Sequence, residues 1–233
     1  MMTNLALGYD DLLAFWVTIK LALVTTFILI FLGTPLAWWL AKKNSWYRTL
    51  IEALVAMPLV LPPTVLGFYL LVAFSPQGPV GQAVEALGLA PLAFTFAGLV
   101  VGSVIYSTPF VVQPLLNTFQ NIGRKPLEAA ATLGASPIDR FFSIVLPMAK
   151  RGFVTALTLG FAHTLGEFGV VLMIGGNIPG ETQVLSIAIY SHVEALEYSR
   201  AHLLSAMLIL FSLLLLLMLY RNNGSAQVMP NEA

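Results

Sequence analysis

Two long stretches of this chain carry no charged residue at all, Leu21 to Ala41 and Leu203 to Tyr220. An apolar run of about 18 residues or more, wound as a helix, can cross the ~30 Å hydrocarbon core of a bilayer. Lipid offers the backbone no hydrogen-bond partner, so a spanning segment must satisfy its own amides, as a helix does. The remaining composition agrees. Only 9% of residues are charged and 58% are hydrophobic, whereas a typical soluble domain carries about 25% charged residues. So little charge cannot keep a soluble surface wet. The fold class expected is all-α, a polytopic membrane protein. Cys is absent, which excludes disulfides, thiolate metal sites and a Cys nucleophile. Formal net charge is zero, so total charge points to no nucleic-acid partner. Lipid is the partner that composition requires.

Five spans are expected: about Leu12–Leu40, Leu50–Phe74, Leu92–Leu116, Phe153–Ile174 and Leu203–Tyr220. The N-terminus lacks the basic start of a signal peptide and carries Asp10 and Asp11 instead, so the first apolar stretch reads as a retained span. Thr182 to Arg200 is different. Val184, Leu185, Ala188, Ile189, Val193 and Leu196 recur at helical spacing, while Glu194 and Glu197 make a lipid crossing expensive. It reads as a helix at the interface or dipping back into the bundle. In the second span Pro58, Pro62, Pro63 and Gly67 imply either a kinked helix or a discontinuous one lining a pathway. No internal repeat is visible, and residues 1–233 read as one permease domain with a polar tail from Asn222 to Ala233.

Nine of the eleven Lys and Arg residues fall in one set of loops: Lys42, Lys43, Arg48, Arg124, Lys125, Arg140, Lys150, Arg151 and Arg221. By the positive-inside rule that side is cytoplasmic. The N-terminus is then outside and the C-terminus inside, which an odd number of spans requires.

The long inward loop, about residues 120–151, reads as a rigid helical hairpin. Pro126 suits a first helical turn, with Glu128 near the positive helix end. The Ala run favours helix, and Gly134 can adopt the left-handed conformation that ends one. Ser136 then caps a second helix, with Pro137 at its first position and Asp139 at the capping-box site. Pro147 is expected to stop it. A stiff hairpin on the surface suits docking into a groove of another protein.

Within that loop Glu128-Ala129-Ala130 is followed after three residues by Gly134, nine later by Ile144, and one later by Leu146-Pro147. This full spaced set resembles the EAA loop of ABC importer permeases. The resemblance implies a fold like type I importer permeases, docking of a cytoplasmic ATPase dimer on these seven residues, a permease homodimer, and an external solute-binding protein. The chain has no Gly-x-x-x-x-Gly-Lys-Ser/Thr sequence, so ATP hydrolysis belongs to the partner; no catalytic residue, metal or cofactor is assigned to this chain.

A second resemblance narrows the family. Leu165-Gly166-Glu167-Phe168-Gly169 and Asn177-Ile178-Pro179-Gly180-Glu181-Thr182 look like stretches of molybdate permeases, with a looser version in sulfate permeases. The substrate implied is molybdate or tungstate, carried across the cytoplasmic membrane, with sulfate or thiosulfate as the alternative. A secondary anion transporter and a membrane hydrolase are readings from other classes. His163 and Glu167 stand four apart, which puts them on one helix face. They are compatible with a metal pair, a proton relay or a structural pair, the last needing no third ligand. An ionised carboxylate repels a dianion strongly in low dielectric, so Glu167 is not assigned to substrate. Neutral donors can hold a tetrahedral anion. The pathway candidates are Thr64, Ser103, Ser107, Thr108 and Thr164, although each hydroxyl could equally bond its own helix backbone.

Overall fold

The computed structural model describes residues 8–42 and 45–223. Lys43 and the tail beyond Asn223 lie outside the described residues. Among those residues all regular structure is helical. The long first helix, α1 (Tyr9–Lys42), buries Ala14, Thr18, Leu21, Ala22, Thr25 and Leu29 along one stripe, the spacing of a single helix face. It packs on α5 (Phe96–Ile122). The α5 N-terminus is fixed by Thr95, whose Oγ1 accepts the Gly98 N–H at 3.1 Å. A third helix, α9 (Lys150–Leu165), completes the core. Gly160 of α9 lies so close to α5 that an added Cβ would meet Val111 Cγ2 at 2.5 Å. Small residues permit such approach, which is how helices associate when lipid supplies no hydrophobic drive.

Three helices are long and apolar enough to cross a membrane unbroken: α1, α5 and α12 (Tyr198–Asn223) through Met218. Two bent helix pairs, Trp46–Leu59 with Pro63–Ala86 and Pro137–Met148 with Lys150–Leu165, raise the count to as many as five if each pair is one crossing. In the second span α2 (Trp46–Ala56) runs into a short 3₁₀ turn at Met57–Leu59, and α3 (Pro63–Phe74) restarts beyond it. A further short helix, α4 (Pro79–Ala86), follows. The two halves bend by 109°, so the proline cluster breaks the helix rather than merely kinking it. Pro62 and Pro63 together remove two amide donors, and Pro63 sits at the first position of α3, where a missing N–H is harmless.

The fourth span corrects the sequence reading. It is not one helix from Phe153 to Ile174: α9 ends at Leu165, and α10 (Gly169–Gly175) begins after a break at Gly166–Phe168. The segment after it also proves shorter than its amphipathic pattern. Its helical core is α11 (Leu185–Glu194), ten residues long, and α12 already begins at Tyr198. At 1.5 Å per residue α11 measures about 15 Å, half the hydrocarbon thickness. Leu185, Ile187 and Ala188 are buried, and the Leu185 N–H donates to Thr18 Oγ1 of α1 at 2.7 Å. The helix thus folds back into the bundle. Leu196 adopts φ +59° in the turn that follows.

Candidate functional site

Two places carry chemistry, and α9 connects them. The first is the hairpin. Its first helix, α6 (Lys125–Thr132), has Pro126 in its first turn and Glu128 beside it. The helix ends as the sequence suggests, with Gly134 at φ +84°. The Ala135 N–H donates to Ala130 O and the Gly134 N–H to Ala131 O, both at 3.0 Å, the paired closure of a Schellman motif. Ser136 caps the second helix, α7 (Pro137–Arg140), its Oγ accepting the Asp139 N–H at 3.2 Å. The capping box is only half formed. Asp139 Oδ1 accepts from Ser143 Oγ at 2.8 Å instead of reaching back to Ser136. Arg140 Nη1 donates to Leu127 O at 3.4 Å and so ties the two helices together.

Pro147 does not stop the second helix. The chain continues from α7 through a π turn at Phe141–Val145 into α8 (Leu146–Met148), with Pro147 in its first turn. The Leu146 N–H reaches Phe141 O, so the wide turn satisfies the backbone ahead of the proline. The bend falls later, at Ala149, where the hairpin arm meets α9 at 71°. Of the seven coupling candidates, Glu128, Ala129, Gly134, Leu146 and Pro147 are exposed, and Ala130 and Ile144 half-buried. Leu133 is 88% exposed and Ile138 is 71% exposed at the hairpin tip. Large apolar side chains thus stand in the open on a rigid turn.

The second place is a cleft of about 540 Å³ where the broken helices meet. Thr64 at the start of α3, Tyr106 of α5, His163 near the end of α9, and Glu167 in the break all line it. His163 Nδ1 lies 2.9 Å from Ser107 Oγ, and that hydroxyl lies 3.0 Å from Thr164 Oγ1. The imidazole stacks on Phe110 with ring centroids 3.7 Å apart.

His163 and Glu167 therefore do not form the pair expected on one helix face. Gly166 ends the helix between them, and Ser186 Oγ donates to the freed Glu167 carbonyl at 2.5 Å. Both carboxyl oxygens of Glu167 and the Ser103 hydroxyl are buried and close no hydrogen bond. Among the described residues no group of three His, Asp or Glu could hold a metal.

The five pathway candidates separate. Thr64 faces the cleft. Ser103 is buried beside it, within reach of Glu167. Ser107 and Thr164 form the support behind His163, and Thr164 also donates to Gly160 O at 3.0 Å. Thr108 merely bonds its own helix, donating to Val104 O at 2.6 Å. Sequence reasoning missed Tyr106 and Phe110. Ser103, Tyr106, Ser107 and Phe110 lie at i, i+3, i+4 and i+7, one face of α5, and that spacing was the available signal.

Broken helices lining a cleft that holds a few polar side chains, joined by α9 to an exposed hairpin, fit a multi-pass membrane permease. The chain belongs to the family described as binding-protein-dependent transport system inner membrane components, whose pattern it matches over residues 33–223. It is 59% identical over 214 residues to the molybdenum transport system permease protein ModB of Azotobacter vinelandii, covering 92% of this chain and 95% of that protein. Identity to the ModB of Haemophilus influenzae is 40%, covering 77% of this chain and 80% of that one. The sulfate transport system permease protein CysT of Salmonella typhimurium is 34% identical, with 87% of this chain and 73% of that protein covered. The fold resembles a chain of a bacterial alginate ABC transporter in complex with a pentasaccharide-bound periplasmic protein, with TM-score 0.75, 18% identity, and 95% and 82% of the two chains covered. It also resembles a chain of the MetNI methionine ABC transporter, with TM-score 0.67, 20% identity, and coverage of 91% and 94%.

Proposed function

We propose that this chain is the membrane subunit of an ATP-driven importer of molybdate, working as a homodimer. A cytoplasmic ATPase dimer docks on the hairpin, and an external binding protein delivers the anion. The observation that carries this reading is the 59% identity, nearly end to end, to a molybdenum permease. The weaker identity to a sulfate permease, 34%, makes sulfate the second reading.

The geometry supports a mechanism. The basic loops favour a cytoplasmic hairpin by the positive-inside rule, with the N-terminus outside and the C-terminus inside. Glu128, Ala129, Ala130, Gly134, Ile144, Leu146 and Pro147 are the coupling residues. Ile144, Leu146 and Pro147 lie in the arm that leads from the hairpin to α9. That helix of sixteen residues carries the displacement about 24 Å to His163 and the break beside it. A push at the hairpin thus reaches the cleft through a bent helical lever, which a flexible loop could not provide.

In the cleft the hydroxyls of Thr64 and Tyr106 and the His163 ring are donors suited to a tetrahedral dianion, with Ser103 behind them. Ser107 and Thr164 orient His163 rather than touch the substrate, and Thr108 takes no part. Neutral donors hold such an anion loosely, as an importer that must release its cargo requires. Cells lacking this chain should lose accumulation of radiolabelled molybdate at nanomolar supply and regain it on complementation. Normal accumulation in the deletion, or loss of sulfate uptake alone, would contradict the proposal.

A further inference from the structure

Three cations converge where α1 ends beside the hairpin. Lys42, Arg124 and Arg140 line a pocket of about 310 Å³ together with Trp38, Leu127, Glu128 and Pro137. Lys42 and Arg140 stand near enough for their like charges to repel. Among the described residues none of the three cations joins an ion pair. Lys42 Nζ instead lies 4.0 Å over the Trp38 ring, and Arg140 Nε and Nη1 donate to the carbonyls of Ser136 and Leu127, two of its five N–H groups. Glu128 is the single acidic lining residue, so the pocket keeps an excess of positive charge that an anion would neutralise.

A second, apolar cavity adjoins the pocket. This groove of about 640 Å³ shares Trp38, Lys42 and Pro137 with it and continues along Ile30, Phe31, Thr34 and Pro35 of α1. Phe142, Leu146 and Phe153 form its other wall. Followed back along α1 from Lys42 to Ile30, the groove is about 18 Å long at 1.5 Å per residue. One leaflet of a bilayer measures about 15 Å, half the ~30 Å core. A basic mouth at the end of a spanning helix and an apolar trough one leaflet deep match one kind of molecule: an anionic headgroup with an acyl chain.

We propose that this composite site binds one anionic phospholipid, its phosphate among Lys42, Arg124 and Arg140 and an acyl chain along α1. Basic pockets at the cytoplasmic boundary of spanning helices bind anionic headgroups in this manner. The lipid would brace the hairpin arm against α1, because Pro137 and Phe142 of the arm and Thr34 and Trp38 of α1 line opposite sides of the groove. The assignment does not depend on which anion the permease carries.

The test uses the full-length permease, alone and with its ATPase, in nanodiscs of phosphatidylcholine containing a minor share of phosphatidylglycerol. Native mass spectrometry then counts the lipid retained. The wild type should retain phosphatidylglycerol in preference to phosphatidylcholine. Lys42→Met combined with Arg124→Gln should lower that retention by about 25-fold, roughly fivefold per cation removed. Arg140 is left intact because it ties the hairpin. Thr34→Trp, which fills the trough and leaves the cations alone, should also lower retention. Glycerol phosphate, the headgroup without a chain, should fail to displace the lipid. Equal retention by wild type and variants overturns the proposal. So does displacement by glycerol phosphate, which would make the pocket a free-phosphate site. Loss of ATPase binding with lipid retention unchanged would make it a protein interface instead, and would overturn it equally.

Discussion

Substituting Gly134 isolates the geometry of the hairpin from everything else. Its φ is +84°, and a Cβ built there meets no atom within 4 Å. A Cβ therefore clashes with nothing, and the cost of adding it is that of the backbone conformation. Holding an L-residue in the left-handed region costs about 1–2 kcal/mol, and a β-branched residue resists it most. That energy shifts the turn population by about five- to thirtyfold. The bonds that close the turn, from Gly134 and Ala135 back to Ala131 and Ala130, depend on this residue's conformation. Gly134→Val should open the angle between α6 and α7 and weaken co-purification of the ATPase by a similar factor. Gly134→Asn should retain most binding, because Asn tolerates the left-handed region. The unfolding temperature of the permease alone should hardly change in either variant, since the turn is exposed. Glu128→Lys should also weaken binding: it removes a first-turn carboxylate favoured by about 0.3–1 kcal/mol and adds a fourth cation beside Lys42, Arg124 and Arg140. Wild-type ATPase binding by Gly134→Val, or equal damage from Val and Asn, would show that the left-handed turn at Gly134 does not govern docking.

Gly67→Ala should destabilise the permease by about 1–3 kcal/mol, because overpacking forces a backbone shift: the new Cβ would stand 2.8 Å from Met173 Cβ and 3.1 Å from Val170 Cα. Thermal unfolding in detergent checks it, and an unchanged melting temperature would disprove the contact. Ser107→Ala should leave His163 Nδ1 without its partner at 2.9 Å, a loss of about 1–3 kcal/mol, and lower transport more than Thr108→Ala, whose hydroxyl only bonds Val104 O. Equal uptake by the two variants would sever His163 from the pathway. In this Cys-free chain, single cysteines at Asn44 and Gln120 should react with impermeant reagent only from the cytoplasmic side, and one at Gln77 only from outside. Labelling of Gln77 from the cytoplasm would reverse the orientation.

The hairpin was legible because its determinants are local. Gly134, Ser136 and Pro137 act within a few residues of themselves, and the structure places each as its chemistry suggests. The spans were legible because lipid leaves so few solutions for an uncharged run. The break at Gly166–Phe168 was not. Its freed carbonyl at Glu167 is satisfied by Ser186, nineteen residues away, and no local signal announces a distant donor. For the same reason His163 was matched with Glu167, four residues on. Its actual partner, Ser107, is separated by 56 positions and supplied by another helix. The proline at 147 misled in the opposite direction. Its missing donor is harmless where a π turn has already shifted the hydrogen-bond register.

On the proposed function, molybdate passes inward when an ATPase moves the hairpin. The most direct measurement reconstitutes the permease with its ATPase and molybdate-binding protein in proteoliposomes and follows radiolabelled molybdate against ATP hydrolysis. Uptake should require ATP and the binding protein, be left intact by excess sulfate, and collapse together with stimulated hydrolysis in Gly134→Val. Uptake by the permease alone without ATP, or uptake undiminished in that variant, would contradict the proposed function.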